Sequence, residues 1–360
     1  MKPLRIAHIS TPRSFRGGEN QVLILLRGLA TRGMENVLFT PGTGLLAAKA
    51  RGEGFPVSPV PLRFELDVLS VLRVARELRR LRPDVVQFHD AHAVMLGGLA
   101  CALAGIKARV GTRRVDYPLR SPWKWRRFCG RVIAISAVVR DVLVADRIPA
   151  SRVRIVPSAV NTARFEKRDA LRARRTLGLE QGRPLIVCPA ALTAQKDHAN
   201  LLEAIPRFHR EFPQALVLLV GEGELEKALR KQASELGLGE DRLRFLGWRD
   251  DVPDLLAASD LFVMPSRFEG LCSAALEAMW CGVPVVTTDA GGLPEAVGDC
   301  GRLVPAGNPQ ALAEAMMAAL RNPEESRRLA QAAAARARTK FGPDSMVEGT
   351  LAVYRELGRS

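Results

Sequence analysis

Cysteine patterns that hold metals or disulfide frameworks are missing from this 360-residue sequence. The six cysteines are scattered, with no Cys-x-x-Cys pair and no histidines at zinc-ligand spacing. Isolated cysteines of this kind usually serve as small buried side chains in a reducing compartment. The sequence therefore predicts neither a zinc site nor a disulfide-stabilised secreted fold. The cysteines are Cys101, Cys129, Cys188, Cys272, Cys281 and Cys300.

A long apolar stretch is also missing. The longest run without a charged residue, residues 93–106, is too short to span a bilayer and predicts a buried helix. Met1 and Lys2 lead directly into a predicted strand, so we expect no secretory signal. These features favour a cytoplasmic protein and leave peripheral contact with the inner face of the plasma membrane open.

Two nucleotide-binding fingerprints are absent or incomplete. No Gly-x-x-x-x-Gly-Lys-Ser/Thr sequence occurs, which argues against a P-loop. Gly221-Glu222-Gly223 begins like a dinucleotide fingerprint, but Glu226 stands at the position of the third glycine. An NAD-linked oxidoreductase is therefore disfavoured.

Positive charge is concentrated in one half of the chain. The net charge is +15: residues 1–165 hold 28 Lys and Arg against 11 Asp and Glu (+17), and residues 166–360 hold 25 against 27 (−2). A basic half suits nucleic acid, an anionic membrane face or a phosphorylated acceptor, and charge alone does not choose among them.

Short apolar runs alternate with helical periods throughout the chain, which predicts an α/β protein. Regular alternation in both halves indicates two doubly wound, Rossmann-like domains facing each other across a cleft. We expect the first domain at residues 1–165 and the second at 166–343. The last helix, residues 344–360, is expected to pack back on the first domain.

Residues 259–297 carry the strongest functional signal. They predict a buried strand (261–264), a polar turn, a helix (271–281) and a second strand (283–288), which together form a βαβ unit. The turn places Glu269 and the backbone amides of Gly270 and Leu271 at the start of the helix, on the sheet edge that binds ligands. Glu277 lies two turns further on. It is either a second residue of the site or an exposed helix carboxylate without a function.

Several features of the first half compete with plainer explanations. Gly17-Gly18, before the first long helix, suits close approach to a phosphate as well as it suits a tight turn. His89 and His92 are three residues apart but lack further ligands, so a polar loop is favoured over a metal site. Arg114 follows the predicted strand at 108–112 and therefore lies on the same sheet edge.

A basic and aromatic segment comes next in the chain. Its composition is typical of a membrane-interface helix or a nucleic-acid contact. The alternative is a solvated helix whose two tryptophans pack inward. The residues are Arg120, Trp123, Lys124, Trp125, Arg126, Arg127 and Phe128.

Residues 269–279, Glu-Gly-Leu-Cys-Ser-Ala-Ala-Leu-Glu-Ala-Met, resemble the Glu-x7-Glu motif of the group 1 retaining glycosyltransferases of GT-B fold. The likeness is strong from about residue 185 to residue 320 and looser before it. The other matching positions are Pro265-Ser266, Gly282-Val283-Pro284-Val285, Gly291-Gly292, Gly301-Arg302-Leu303-Val304, Val220-Gly221-Glu222-Gly223, Phe245-Leu246-Gly247 and Gly17-Gly18.

The resemblance implies a role for each residue that matches the family's pattern. Glu277 would accept hydrogen bonds from the ribose diol of a nucleotide diphosphate sugar, and Glu269 would face the donor sugar. Lys196, otherwise a surface lysine at a helix start, would contact the diphosphate. Contacts with the nucleotide sugar are implied at Gly17, Gly18, Gly221, Gly223, Gly270, Leu271 and Cys272.

The chain departs from the family pattern at three places. The arginine expected five residues before Lys196 is replaced by Ala191, and a frequent histidine falls near Arg114. We hypothesise that Arg114 supplies the charge lost at Ala191 and is catalytic together with Glu269 and Lys196. The Asn-Gly expected before the domain crossing reads Ser158-Ala159. Because no Asp-x-Asp sequence occurs, we expect no metal and no cofactor, with fixed positive groups on the diphosphate.

The leading interpretation is a glycosyltransferase that moves a sugar from a nucleotide diphosphate sugar to a lipid-linked or glycan acceptor in surface-polysaccharide or lipopolysaccharide synthesis. The donor predicted is a UDP-hexose. Retention by front-side attack is implied by the resemblance. A nucleotide-sugar epimerase or hydrolase of the same fold is the alternative. A nucleic-acid-binding protein is more distant, because no recognised nucleic-acid motif occurs.

Overall fold

The computed structural model describes residues 3–60, 67–166, 168–179 and 182–358. The chain forms two compact units. The first comprises the chain up to Asn161 together with the chain from Pro343 onward, and the second comprises Thr162–Gly342. Each unit is built on one parallel β-sheet.

The first unit has a seven-stranded sheet. Its strands are β1 (Arg5–Ile9), β2 (Glu35–Thr40), β3 (Val57–Pro59), β4 (Val85–Phe88), β5 (Arg109–Arg113), β6 (Arg131–Ala134) and β7 (Val153–Ile155). Its helices, in chain order, are α1 (Gly17–Ala30), α2 (Leu45–Gly52), α3 (Val68–Leu81), α4 (Ala91–Ala104), α5 (Pro122–Phe128) and α6 (Ala137–Ala145). The strand order is β3-β2-β1-β4-β5-β6-β7, and Ile6 of β1 pairs with Asn36 and Val85.

The second unit has a six-stranded sheet. Its strands are β8 (Leu185–Pro189), β9 (Leu216–Val220), β10 (Leu243–Phe245), β11 (Leu261–Met264), β12 (Val285–Thr288) and β13 (Arg302–Val304). Its helices are α7 (Ala170–Thr176), α8 (His198–His209), α9 (Glu226–Glu235), α10 (Val252–Ala258), α11 (Ser273–Cys281), α12 (Leu293–Val297), α13 (Pro309–Arg321) and α14 (Pro323–Lys340). The strand order is β10-β9-β8-β11-β12-β13.

Both sheets reverse their strand order next to their first strand. In the second sheet, Ile186 of β8 pairs with Val217 of β9 and Leu261 of β11. All residues of β8 and β11 are buried, as expected of central parallel strands covered on both faces. Open α/β sheets bind ligands outside the carboxyl ends of the strands at such a reversal.

The last helix, α15 (Pro343–Gly358), belongs to the first unit. It crosses α1 closely at Gly28, where an added β-carbon would lie 2.3 Å from Cγ2 of Val347. Leu351 and Tyr354 are buried in the same core, and the Tyr354 hydroxyl donates a hydrogen bond to the side-chain oxygen of Gln87. Residues 359 and 360 of the helix predicted at 344–360 lie outside the described residues.

Candidate functional site

The loops after β8 and β11 leave the second sheet at its reversal point. The loop after β8 ends in a short turn, Ala194–Lys196, immediately before α8. The loop after β11 carries Glu269 and leads into α11. Because β8 and β11 are neighbours in the sheet, residues far apart in the sequence meet at this edge.

A buried ion pair joins the two loops. The Lys196 ammonium donates to Oε1 of Glu269, and the Ser266 hydroxyl donates to the same oxygen at 2.9 Å. Glu269 is only 5% exposed. Burial is the largest single effect on the pKa of Lys196 and lowers it, but the opposing effects, led by the Glu269 carboxylate, together outweigh burial, so the lysine pKa is raised. The site therefore keeps its ammonium charged at neutral pH.

A second ion pair links the same loops, but here the loop after β11 supplies the cation and the loop after β8 supplies the anion. Nε of Arg267 donates to Oδ2 of Asp197 at 2.7 Å, and the Arg267 backbone amide donates to the carbonyl of Gln195 at 2.8 Å. Each loop thus contributes one cation and one anion. Asp197 and Arg267 were not predicted as site residues, although they lie one residue after Lys196 and two residues before Glu269.

Two residues of the site adopt left-handed backbone conformations that are unfavourable for side chains with a β-carbon. Asp197 has φ 48° and Cys272 has φ 64°, and they stand at the N-caps of α8 and α11. Neither side chain caps its own helix. Strain of this kind clusters at functional sites, and the uncapped first-turn amides favour an anion.

Helix α11 begins at Ser273, two residues later than predicted, because the left-handed Cys272 interrupts the helical backbone. Gly270 and Leu271 therefore precede the helix instead of opening it. Gly292 packs against Gly270 so closely that an added β-carbon would lie 2.2 Å from the Gly270 carbonyl oxygen. The predicted sugar or phosphate contacts of the Gly270 and Leu271 amides remain predictions.

The thiol of Cys272 lies beside the Glu269 carboxylate. Burial and then that negative charge raise the thiol pKa, so Cys272 is protonated at neutral pH. Burial likewise raises the pKa of Cys188, behind the ion pair, to about 12. Neither cysteine is a thiolate nucleophile in this environment.

The glycine turn after β9 lies against the loop after β8. An added β-carbon at Gly221 would lie 2.2 Å from the carbonyl oxygen of Ala190, and one at Gly223 would lie 2.3 Å from that of Leu192. The Leu192 amide donates to the carbonyl of Glu222 at 3.0 Å. Backbone packing therefore requires both glycines, and their assignment to nucleotide binding remains a prediction.

Glu277 occupies a partly buried position on α11, eight residues after Glu269. Burial raises its pKa to about 7, and the positive charge of Arg164 opposes that rise. The carboxyl group therefore titrates near neutral pH, unlike an exposed glutamate.

Three predicted residues of the first unit lie together at the carboxyl edge of its sheet. Helix α1 begins at Gly17, so Gly17 and Gly18 both lie in its first turn. A β-carbon added at Gly18 would lie 3.7 Å from Cδ of Arg114. Nε of Arg114 is buried without a hydrogen-bond partner among the described residues. Burial lowers the arginine pKa to about 10, so it stays charged at neutral pH.

The basic and aromatic segment only partly matches its predicted role. Trp125 is 1% exposed and packs on Gly111 of β5, and Phe128 packs on Gly98 of α4. The prediction of membrane contact is therefore wrong for Trp125, Phe128 and the buried Lys124, because α5 docks onto these glycine surfaces. The segment's exposed members are Arg120, Trp123, Arg126 and Arg127. No helix in the described part of the chain is long and apolar enough to cross a membrane.

Both halves of the chain match protein-family models. Residues 169–336 match glycosyl transferases group 1, and residues 15–164 match glycosyltransferase family 4. These matches supersede the epimerase, hydrolase and nucleic-acid-binding interpretations.

Similar proteins cover almost the whole chain. A 2-deoxystreptamine N-acetyl-D-glucosaminyltransferase of Streptomyces fradiae is 31% identical over 96% of this chain and 92% of that protein. A GDP-mannose-dependent alpha-(1-6)-phosphatidylinositol monomannoside mannosyltransferase of Mycolicibacterium smegmatis is 30% identical, covering 79% and 80%. The crystal structure of Anabaena Alr3699/HepE in complex with UDP and glucose superposes with a TM-score of 0.87 at 22% identity, covering 98% and 100%. The fold is therefore GT-B, with two Rossmann-like domains.

Proposed function

Because this chain belongs to the group 1 glycosyltransferases, we propose that it transfers a hexose from a UDP-sugar to a lipid-linked or glycan acceptor. The acceptor would be of the kind used in surface-polysaccharide or lipopolysaccharide synthesis. Two similar proteins support these choices. The Mycolicibacterium smegmatis protein is a phosphatidylinositol monomannoside mannosyltransferase, and Anabaena Alr3699/HepE is seen in complex with UDP and glucose.

The buried pair of Lys196 and Glu269 at the reversal of the second sheet carries the proposal. An ammonium beside a carboxylate suits a substrate with a diphosphate at one end and hydroxyl groups at the other. Lys196 would stabilise the departing diphosphate, Glu269 would accept hydrogen bonds from the donor sugar, and Glu277 would accept those of the ribose diol.

In the proposed reaction, the bond between the anomeric carbon and the β-phosphate oxygen breaks. The acceptor oxygen bonds to the anomeric carbon on the same face, and its proton passes to the departing phosphate. This route retains the anomeric configuration and needs no covalent nucleophile from the protein. We also propose that fixed positive groups serve the diphosphate without a divalent ion, so transfer should persist in EDTA.

The basic first unit is the proposed acceptor side, with the protein in the cytoplasm and peripheral at the membrane. The +17 charge of residues 1–165 supports an anionic acceptor such as a diphosphate-linked lipid.

A donor screen followed by a transfer assay tests the proposal. UDP-, GDP- and ADP-sugars are compared by thermal shift, and a donor at about 100 times its Kd should raise the Tm of the second unit by about 5–10 °C. Product analysis then distinguishes a transferred sugar from a free one. Stabilisation by GDP-sugars alone would overturn the UDP assignment, and no stabilisation by any of them would overturn the proposed donor site.

A further inference from the structure

Helix α3 has two chemically different sides. Its inner side holds the buried Val71, Val74, Ala75 and Leu78, and the helix packs on α4. On its outer side, Leu69 is 76% exposed and Leu72 is 53% exposed. Val68 at the start of the helix is 66% exposed as well. Large side chains on this outer side are therefore in water.

This clustering of exposed aliphatic residues is unusual within the molecule. The other exposed large hydrophobic residues of the described ranges occur one per helix, strand or loop. Single exposed hydrophobics need no explanation, whereas a contiguous group marks a contact surface. The group on α3 is therefore a candidate contact surface.

Arginines share this surface with the leucines. Helix α3 contains four arginines and one glutamate, Glu77. Oε1 of Glu77 lies 3.7 Å from Nη1 of Arg80. At about 100° per residue, the leucines and three of the arginines fall within an arc of about 100°. We call these five residues, Leu69, Leu72, Arg73, Arg76 and Arg80, the α3 outer face.

The surface extends onto the neighbouring helix. Arg79 donates to the carbonyl oxygen of Leu103 at the end of α4, at 2.6 Å, and Leu103 is itself 49% exposed. Leu103 thus adds an exposed aliphatic side chain beside the cationic end of α3.

We propose that the α3 outer face docks the protein on an anionic lipid bilayer. Leucines that enter the boundary between headgroups and acyl chains, with arginines on the lipid phosphates, are the arrangement of an interfacial amphipathic helix. A nucleic-acid backbone would use the arginines and leave the leucines in water. Protein interfaces are enriched in aromatic residues and Met as well as Arg, and this face has no aromatic residue and no Met.

The proposal rests on the proposed function, since docking on the membrane would bring the enzyme to a lipid-linked acceptor. Binding to the bilayer does not depend on the sugar donor, because none of the five residues belongs to the candidate site. A failure of docking and a failure of sugar transfer are therefore distinguishable.

Co-sedimentation of the full chain with vesicles tests the docking. We expect binding to phosphatidylcholine vesicles that contain phosphatidylglycerol, little binding to phosphatidylcholine alone, and weaker binding at high salt. Replacing Leu69→Ser together with Leu72→Ser should weaken partitioning by about tenfold or more. Replacing Arg73→Ala together with Arg76→Ala should weaken it by about fivefold per arginine.

Matched controls lie on the second unit. Leu171→Ser replaces a 70% exposed leucine of α7, and Arg327→Ala with Arg328→Ala removes two exposed charges of α14. These controls should bind as the wild type does, and all variants should keep their Tm and their transfer of sugar to a soluble acceptor.

Three results would overturn the proposal. The first is equal binding to anionic vesicles by the wild type and the α3 variants. The second is an equal loss of vesicle binding in the α3 variants and the controls. The third is loss of vesicle binding in Trp123→Ala but not in the α3 variants, which would place the contact on α5. Salt-sensitive binding to an oligonucleotide with no binding to anionic vesicles would replace the bilayer with nucleic acid.

Discussion

Lys196 and Glu269, 73 residues apart in the sequence, form an ion pair whose side chains are 18% and 6% exposed. Exposed ion pairs stabilise little, but a charge left alone in a buried site is costly. Loss of one partner should therefore destabilise the second unit, in addition to any effect on the proposed chemistry. The two contributions can be measured separately.

Removing only one partner of this pair should be worse for stability than removing both. We expect Lys196→Met to lower the unfolding free energy of the second unit by about 3–5 kcal/mol, because the Glu269 carboxylate stays buried. Lys196→Met with Glu269→Gln should recover part of that loss. Urea denaturation measures both. The control, Glu314→Gln, breaks the exposed Arg207–Glu314 pair and should cost about 1 kcal/mol or less. Similar losses for the buried and exposed pairs would contradict the prediction.

Donor affinity should depend on pH through Glu277. The ionised carboxylate accepts hydrogen bonds from a ribose diol, so donor binding favours the deprotonated form. With a pKa of about 7, donor affinity should fall roughly tenfold between pH 8 and pH 6. Calorimetric titration at the two pH values measures the change, and Glu277→Gln should bind more weakly with this dependence removed. An unchanged pH dependence in Glu277→Gln would assign it to another group.

Arg114→Ala tests whether this arginine replaces the guanidinium missing at Ala191. Loss of a charge-assisted hydrogen bond predicts roughly tenfold weaker donor binding or more. Arg120→Ala, at an exposed position of the same unit, is the control. If Arg114→Ala leaves donor affinity unchanged while Lys196→Ala abolishes it, the hypothesis is wrong.

Asp197→Asn should slow transfer more than it destabilises the fold. It removes the pairing with Arg267, whose side chain is 57% exposed, so about 1 kcal/mol or less of stability is at stake. The two loops would lose one of their ion pairs, and small displacements of reacting groups reduce rates by up to about 100-fold. We expect a fall in kcat at saturating donor. Glu226→Gln, which breaks the helix pair with Arg230, should leave kcat unchanged.

Gly223 and Gly237 should differ when each is replaced by alanine. Gly223 has ordinary backbone angles but no room, so Gly223→Ala should cost about 1–3 kcal/mol or more through steric conflict with Leu192. Gly237 has room but a left-handed φ of 66°, so Gly237→Ala should cost about 1 kcal/mol. Only Gly223→Ala should also weaken donor binding, because it moves the backbone of the loop after β8. Equal effects on donor binding would contradict the proposed role of that loop.

Much of the fold could be predicted because its signals are local. The strand predicted at 261–264 is β11, and Pro and Gly punctuate the elements around it. Glu269 and Lys196 could be named as candidate site residues because they match the pattern of the family that the chain resembles, and their functional roles stay predictions. The predicted start of α11 was wrong by two residues, since nothing in the sequence marks Cys272 as left-handed.

Three properties follow from the amino-acid sequence alone: the alternation of strands and helices, the family resemblance and the excess of positive charge in the first half. The pairing of Lys196 with Glu269 and of Asp197 with Arg267 depends on the folded chain. Folding also buries Trp125, leaves Leu69 and Leu72 exposed to water and raises the pKa of Glu277 to about 7. Strand and helix patterns depend on neighbours along the chain, whereas burial and charge pairing depend on residues that only the folded sheet brings together.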